Sequence, residues 1–370
     1  MSEFARRRQT LAARLRSLPS AQPDGPPVSV DALLVSGLAS VRYLTGFTGS
    51  NGLLLLFPSS HAVFYTDPRY SLQSKTEVDC PVKIAKGQML AAVAKTAQKA
   101  GLRRLGFEAE RLGYHSYAFL QSKLTASVAL EPLRGVVEEQ RMCKSPEEIA
   151  RIRRSVETNS EAFRRALAHI RPGRTREFDL AAEIDYRMRR LGAEKTAFET
   201  IVVGGTRTAF PHARPSAAIL EPDELLLIDM GATQDGYASD MTRMLFLGRA
   251  GQRVKSVYRA VLDAQLAAIA AVRPGVTAGH VDRVARRVLR AHGLEKSFVH
   301  STGHGLGLEI HEPPRLGRKE KTRLREGMTI TIEPGAYLEG LGGVRIEDTV
   351  LVTSNGCEIL TPTPKELLEI

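Results

Sequence analysis

Short apolar runs and longer amphipathic ones alternate along the first third of the chain. DALLVSG (31–37), GLLLLF (52–57) and HAVFYTD (61–67) are bounded by glycine, proline or aspartate and read as strands. MLAAVAKTAQKAG (89–101) and SYAFLQSKLTA (116–126) read as helices. Alternating strands and helices predict an α/β unit. Ahead of it, Phe4, Leu11, Leu15 and Leu18 fall near helical spacing, which predicts an amphipathic first helix with a solvated arginine face. A proline-rich loop, SLPSAQPDGPPVS (17–29), should follow it.

The pattern changes near residue 141, where RMCKSPEEIARIRRSVETNSEAFRRALAHI begins. Ser145 is a good N-cap, Pro146 suits the first helical position and Glu148 completes a capping box, so a long amphipathic helix opens here. We place a domain boundary at this point, giving domains 1–140 and 141–370. The second domain contains a weak repeat. Residues 167–198 align with 269–300 as helix, Arg-Pro-Gly, helix and Gly-x-Glu-Lys, with one residue of slippage. EPDELLLIDMG (221–231) then aligns with LREGMTITIEPG (324–335), which sets Asp229 against Glu333. Two copies of so long a unit do not make a solenoid. They predict two halves related by a pseudo-twofold, each contributing a β-hairpin.

The hairpins carry the chemistry. In LLLIDMGATQDGYASDMTR (225–243), apolar runs bracket an Asp-Gly turn. With the turn centred between Gln234 and Asp235, Asp229 and Asp240 face each other, roughly 5 Å apart at Cβ. Such a pair costs on the order of 4 kcal/mol even at an effective dielectric of about 20. In the second hairpin, a turn centred on Gly340 sets Glu333 opposite Glu347. Four converging carboxylates raise one another's pKa values, and two divalent cations reverse that penalty. An oxygen-rich donor set suits a hard metal such as manganese. HSTGHGLGLEIHEPP (300–314) places His300, His304 and His311 among glycines, with His304 where a ring could enter the cleft. Paired metals polarise a carbonyl and generate hydroxide from a shared water, so the implied chemistry is hydrolysis.

Composition limits the alternatives. At 370 residues the chain exceeds one usual core. It has no uninterrupted apolar stretch of about 18 residues to span a membrane. Three scattered cysteines suggest a reducing compartment, hence the cytoplasm. The net charge of +11 is spread over many segments with acids interleaved, which favours a basic solvated surface over a nucleic-acid footprint.

The motifs IDMG, YASDMTR, STGHGLG, TIEPG and VRIEDT occur in this order, and over 141–370 the chain resembles the pita-bread metallopeptidase family M24. The resemblance implies an α+β pita-bread catalytic domain with a pseudo-twofold. It implies that Asp229, Asp240 and Glu347 serve one metal ion and Asp240, His304, Glu333 and Glu347 a second. Glu333 would also act as general base toward a metal-bridging hydroxide. His212 in FPHARPS, His300 and His311 match family histidines that bind substrate and move protons, and Arg345 matches an arginine beside the ligand Glu347. The metal expected first is manganese, with cobalt or zinc as alternatives.

YLTGFTGSNGLLLLF and YTDPRY resemble the N-terminal domain of the smaller aminopeptidases P, over about 30–135. The first domain is therefore expected to be of the creatinase/prolidase N-terminal type, serving oligomerisation and substrate access in a homodimer or larger homo-oligomer. The resemblance implies peptide substrates with proline second. The first reading is an Xaa-Pro aminopeptidase, the second a dipeptidase (prolidase), which needs a cation for the proline carboxylate; Arg207, Arg214 and Arg243 lie in suggestive segments. A non-catalytic binding module, for nucleic acid or histones, is disfavoured because all five ligand types are present.

Overall fold

Apolar runs too short for helices become the centre of the first sheet. A computed structural model describes residues 1–18 and 25–370; the middle of the proline-rich loop, residues 19–24, lies outside the described residues. The chain divides into two units, Met1–Arg141 and Met142–Ile370. In the first, six strands run in the order Val82–Ile84, Ala62–Thr66, Gly52–Leu56, Ala32–Val35, Arg104–Glu108, Ala129–Leu133. The Ala32–Val35 strand pairs parallel to Arg104–Glu108 and antiparallel to Gly52–Leu56. Helices Met89–Lys99 and Tyr114–Lys123 bury Val93, Ala94, Ala97 and Leu120 against one face.

The first helix, Glu3–Ala12, differs from expectation, because its arginine face is not wholly solvated. Arg7 and Arg8 are buried. Arg7 donates to the Tyr43 carbonyl at 3.0 Å and Arg8 to the Leu44 carbonyl at 2.7 Å and to Asp79 at 2.6 Å. Those carbonyls belong to the last turn of helix Leu38–Thr45, where no intrahelical donor remains. Arginine supplies one while its aliphatic stem packs.

In the second unit, Ser145 and Glu148 form the reciprocal capping box that opens helix Pro146–Ala166. The repeat is visible in hydrogen bonds as well as sequence. Gly173 donates to the Leu220 carbonyl and Gly275 to the Leu324 carbonyl, each at 2.8 Å, just before helices Glu177–Arg190 and Ala278–Ala291. Both glycines sit at positive φ, +75° and +86°, where a side chain would be strained. Each half ends in sheet. One has the order Leu368–Glu369, Met241–Phe246, Leu225–Met230, Ile201–Gly204; the other has Glu312–Arg315, His304–Gly305, Thr329–Ile332, Asp348–Val352, Cys357–Ile359. Separate apolar clusters, one around Leu226 and Ile228 and the other around Ile330 and Val350, form the core of each half, and a third, around Leu225, Leu227, Val344 and Ile346, draws on both. No described helix is long and apolar enough to cross a membrane.

The two hairpins settle their registers differently from each other. Glu333 and Glu347 are opposed as expected: Ile332 pairs with Asp348 on one side of them and Gly335 with Arg345 on the other. In the first hairpin the register is shifted by two residues. Gln234 pairs with Tyr237 and Asp229 with Thr242, so Asp229 does not face Asp240 directly. The turn residues are Asp235 and Gly236, with φ of 51° and 80°, the two left-handed positions of a type I′ turn. A shift of two preserves the face of every side chain, so Asp240 becomes a diagonal neighbour of Asp229.

Replacing Gly236 by Ala should destabilise the second unit by about 1 kcal/mol, since the turn demands φ above zero. Urea melts of the two proteins check this; an unchanged midpoint would argue against the assigned turn.

Candidate metal centre

Every carboxylate of the expected set sits where an apolar strand begins or ends. Asp229 lies near the end of Leu225–Met230, Asp240 just before Met241–Phe246, Glu333 just after Thr329–Ile332, and Glu347 just before Asp348–Val352. The apolar residues anchor the strands in the cores, which leaves the carboxylates little freedom to separate. The strands also approach unusually closely. A Cβ on Gly231 would lie 2.3 Å from the Ser239 carbonyl oxygen, and one on Gly303 2.0 Å from that of Thr331. The second approach brings His304 against the strand that leads to Glu333.

Asp229, Asp240, His304, Glu333 and Glu347 all line one cavity of about 880 Å³. His304 Nε2 is 3.5 Å from both Asp240 Oδ2 and Glu333 Oε1. His304 Nδ1 is 2.9 Å from the Gly305 carbonyl, which assigns the proton to Nδ1 and leaves the Nε2 lone pair facing the carboxylates. Asp240, His304 and Glu347 offer ligand atoms within 4.8 Å of one another. Thr331 accepts from the His304 amide and donates to Glu333, each at 3.1 Å, so one hydroxyl sets both residues. Thr242 donates to Glu347 at 2.7 Å.

The electrostatics are those of a centre short of positive charge. Burial first, and then Glu347, Asp229 and Glu333, hold the Asp240 carboxyl well above its ordinary range. Glu347 is raised likewise by burial, then by Glu333 and Asp229. Burial pushes Glu333 up to about 7 although Arg345 opposes the shift. Asp229 has one oxygen, Oδ1, that is buried with no hydrogen-bond partner, while Oδ2 accepts from Arg345 at 2.6 Å. An orphaned carboxylate oxygen, an imidazole lone pair and three further carboxylates on one cavity wall make a donor set for hard divalent cations. The residues fit the metal centre that the sequence implied.

The remaining expected residues also line the cavity. His300 Nδ1 lies 2.8 Å from the Ser301 carbonyl and Nε2 2.8 Å from the Tyr337 hydroxyl, and burial pushes its pKa down to about 4. The His311 ring stands edge-on to His304, with centroids 4.4 Å apart, and burial also lowers its pKa. His212 lines the cavity beside Pro211 and Ala213. Arg345 touches Asp229, donates to Thr242 at 3.1 Å and to Tyr337 at 2.8 Å, and thereby links Asp229 to Glu347 and to His300.

Tyr337 was not singled out from the sequence, although it lies four residues past Glu333, on the same face of an extended chain. Of the three arginines considered for a substrate carboxylate, Arg207 is bound to Glu177 and Arg243 is buried against Asp348 at 2.7 Å. Arg214 lines the cavity, 3.2 Å from Glu199. Arg315, also missed, lines the cavity with no carboxylate partner among the described residues.

Comparison with known proteins agrees with this geometry. The model of metallopeptidase family M24 matches residues 150–354, and that of the creatinase/prolidase N-terminal domain matches residues 28–143. An Xaa-Pro dipeptidase of Pyrococcus furiosus is 37% identical over 92% of this chain and 96% of its own. The solved structure of an Xaa-Pro dipeptidase from Bacillus anthracis superposes with a TM-score of 0.92 at 34% identity, covering 100% of this chain and 99% of that one. An X-Pro aminopeptidase from Thermotoga maritima superposes with a TM-score of 0.86 at 36% identity, covering 92% and 98%. These likenesses extend over both units, the creatinase-type α/β unit and the pita-bread unit.

The raised carboxyls give the metal-free protein a distinctive pH dependence. Between the ordinary glutamate pKa of about 4.3 and the folded value of about 7, folded Glu333 binds a proton that the unfolded chain has released, so stability falls as pH rises through that window. Asp240 and Glu347 shift in the same direction and add to the slope. Thermal melts of chelator-treated protein from pH 4.5 to 8 should show this decline, and Glu333→Gln should flatten it. Equal slopes in the two proteins would contradict the assignment.

Proposed function

Because this chain belongs to metallopeptidase family M24, we propose that it is a metal-dependent Xaa-Pro dipeptidase that releases free proline. Arg315 carries this reading. A dipeptide presents its C-terminal carboxylate a fixed, short distance from the scissile bond, and an unpaired guanidinium on the cavity wall is a suitable partner. The dipeptidase relatives from Pyrococcus furiosus and Bacillus anthracis support the same choice. The order of the two readings is thus the reverse of the one drawn from sequence. The aminopeptidase reading keeps one specific support, the likeness to the Thermotoga maritima X-Pro aminopeptidase.

We assign Asp229, Asp240, His304, Glu333 and Glu347 as the residues that would hold two divalent ions. Manganese is the first choice and cobalt or zinc the alternatives. When bound, the ions polarise the scissile carbonyl and lower the pKa of water to near 7. The chain's own residues do the rest. Glu333 takes a proton from the attacking water and returns it to the prolyl nitrogen, which has no N–H in the substrate and must gain one to leave as a secondary amine. His212, His300 and His311 present imidazoles from the cavity wall to the substrate carbonyl and proline ring. Arg345 holds Asp229 in place through its 2.6 Å contact. The first unit is assigned to oligomer contacts and substrate access, and the protein to the cytoplasm, in keeping with its free cysteines.

Manganese-loaded protein is expected to hydrolyse Ala-Pro and to leave Ala-Pro-Ala largely intact. Loss of a charge-assisted bond costs about 1.5–3 kcal/mol, so Arg315→Ala should raise KM for Ala-Pro by roughly 10- to 100-fold with a smaller change in kcat. Alanine release from the tripeptide alone would overturn the dipeptidase reading in favour of the aminopeptidase.

A further inference from the structure

Two cavity histidines, His212 and His300, lie on irregular segments rather than on strands. In the second half, Asp282 is fully buried on helix Ala278–Ala291. It accepts from the Thr302 hydroxyl at 2.9 Å and the Thr302 amide at 3.2 Å, and from Arg286 Nε at 2.8 Å. Arg286 spends its other nitrogens on the main chain, donating to the Phe298 carbonyl at 2.9 Å and to the His300 carbonyl. The guanidinium also covers the Phe298 ring at 4.2 Å, and that ring meets His300 edge-on at 5.0 Å. Between them Val299 is 68% exposed, so the segment has no packing on its outer side to hold it.

The first half reaches the same outcome with different residues. Glu177 is 1% exposed at the start of helix Glu177–Arg190. It accepts from the amides of Gly204 and Ser216, both at 2.9 Å, from the Ser216 hydroxyl at 2.7 Å and from Arg207. Arg207 in turn donates to the Arg214 carbonyl at 2.8 Å. Both ends of the segment that carries His212 are thereby tied to one carboxylate. Glu177 is the first residue of its helix, whereas Asp282 lies a turn inside its own, so the two are not equivalent positions of the repeat.

A buried ion pair contributes little net stability compared with apolar residues of the same volume. Here the planar fork of arginine meets backbone carbonyls that no strand pairs, which fixes position as well as charge. We propose that Asp282–Arg286 and Glu177–Arg207 are positioning pairs that set the backbone of the two histidine segments and so aim His300 and His212 into the cavity. Neither pair touches the substrate; each acts through its histidine. The kinetic part of this inference rests on the peptidase reading above.

Arg286→Lys separates the two roles, because lysine keeps the charge beside Asp282 and loses the fork. The variant should retain manganese stoichiometry and melt within a few degrees of the parent. With Ala-Pro, kcat should fall at least 10-fold with KM within about 3-fold, since an orienting defect appears in the reacting complex. The His300 imidazole signal in ¹⁵N-histidine spectra, assigned with His300→Gln, should move. A kcat within twofold of the parent together with an unmoved His300 signal would overturn the proposal. The ring signal needs no turnover, so an inactive parent would sink the peptidase reading while the spectrum still decides this one. Should the lysine variant not fold, Asp282→Asn releases Arg286 without loss of volume. An unmoved His300 signal there overturns the proposal equally.

Discussion

Four carboxylates share one cavity wall, and the second unit is organised around keeping them there. Asp240 and Glu347 are 5% and 2% exposed, too little for water to screen them. Arg345 is the one permanent cation in direct contact with any of the four among the described residues. Without metal the cluster answers by holding protons, which is why the carboxyls of Asp240, Glu333 and Glu347 are all raised. Binding of divalent cations exchanges those protons for metal charge, so affinity, pH dependence and stability are linked through one set of groups.

The fold resists the repulsion by fixing main chain first. Each of the four carboxylates sits at or near the end of an apolar strand, and in each half an Arg-Pro-Gly turn leads into the helix that precedes those strands. Behind Glu347, Arg243 donates to the Glu347 carbonyl at 2.6 Å and to the Thr242 carbonyl at 3.0 Å while its other nitrogen holds Asp348. Asp348 also accepts from Gln265 and Lys365, at 2.8 Å and 2.6 Å. That buried network explains why Arg243 does not line the cavity that holds the four carboxylates. Only after the backbone is held do Thr242 and Thr331 orient individual carboxylates.

Much of this was legible in the sequence for physical reasons. Side chains alternate along a strand, so the face of Asp229, Asp240, Glu333 and Glu347 followed from apolar runs alone. The glycine-rich turn around Gly340 allowed its register to be read as well. The sequence pattern places the turn one residue early, and so the pairing register off by two, because Gln234 is polar and reads as part of the loop although it pairs with Tyr237. Tyr337 and Arg315 were overlooked because a single tyrosine or arginine is common on any surface; only the folded chain brings them to the cavity. Helical periodicity puts Arg7 and Arg8 on a solvated face because it does not report carbonyls from another helix. Substrate length was the least legible property, since the proposed preference rests on one unpaired cation rather than on a pattern.

Metal stoichiometry decides whether the carboxylate cluster holds two divalent cations. Chelator-treated protein would be titrated with Mn²⁺ in a calorimeter at pH 7.5, with bound metal counted by elemental analysis after gel filtration, for the parent and for Asp240→Asn. Two ions per chain are expected in the parent. Loss of at least one is expected in the variant, because Asp240 offers a ligand atom beside those of His304 and Glu347. One ion or none in the parent, or two retained without Asp240, would rule out a two-metal centre at these residues.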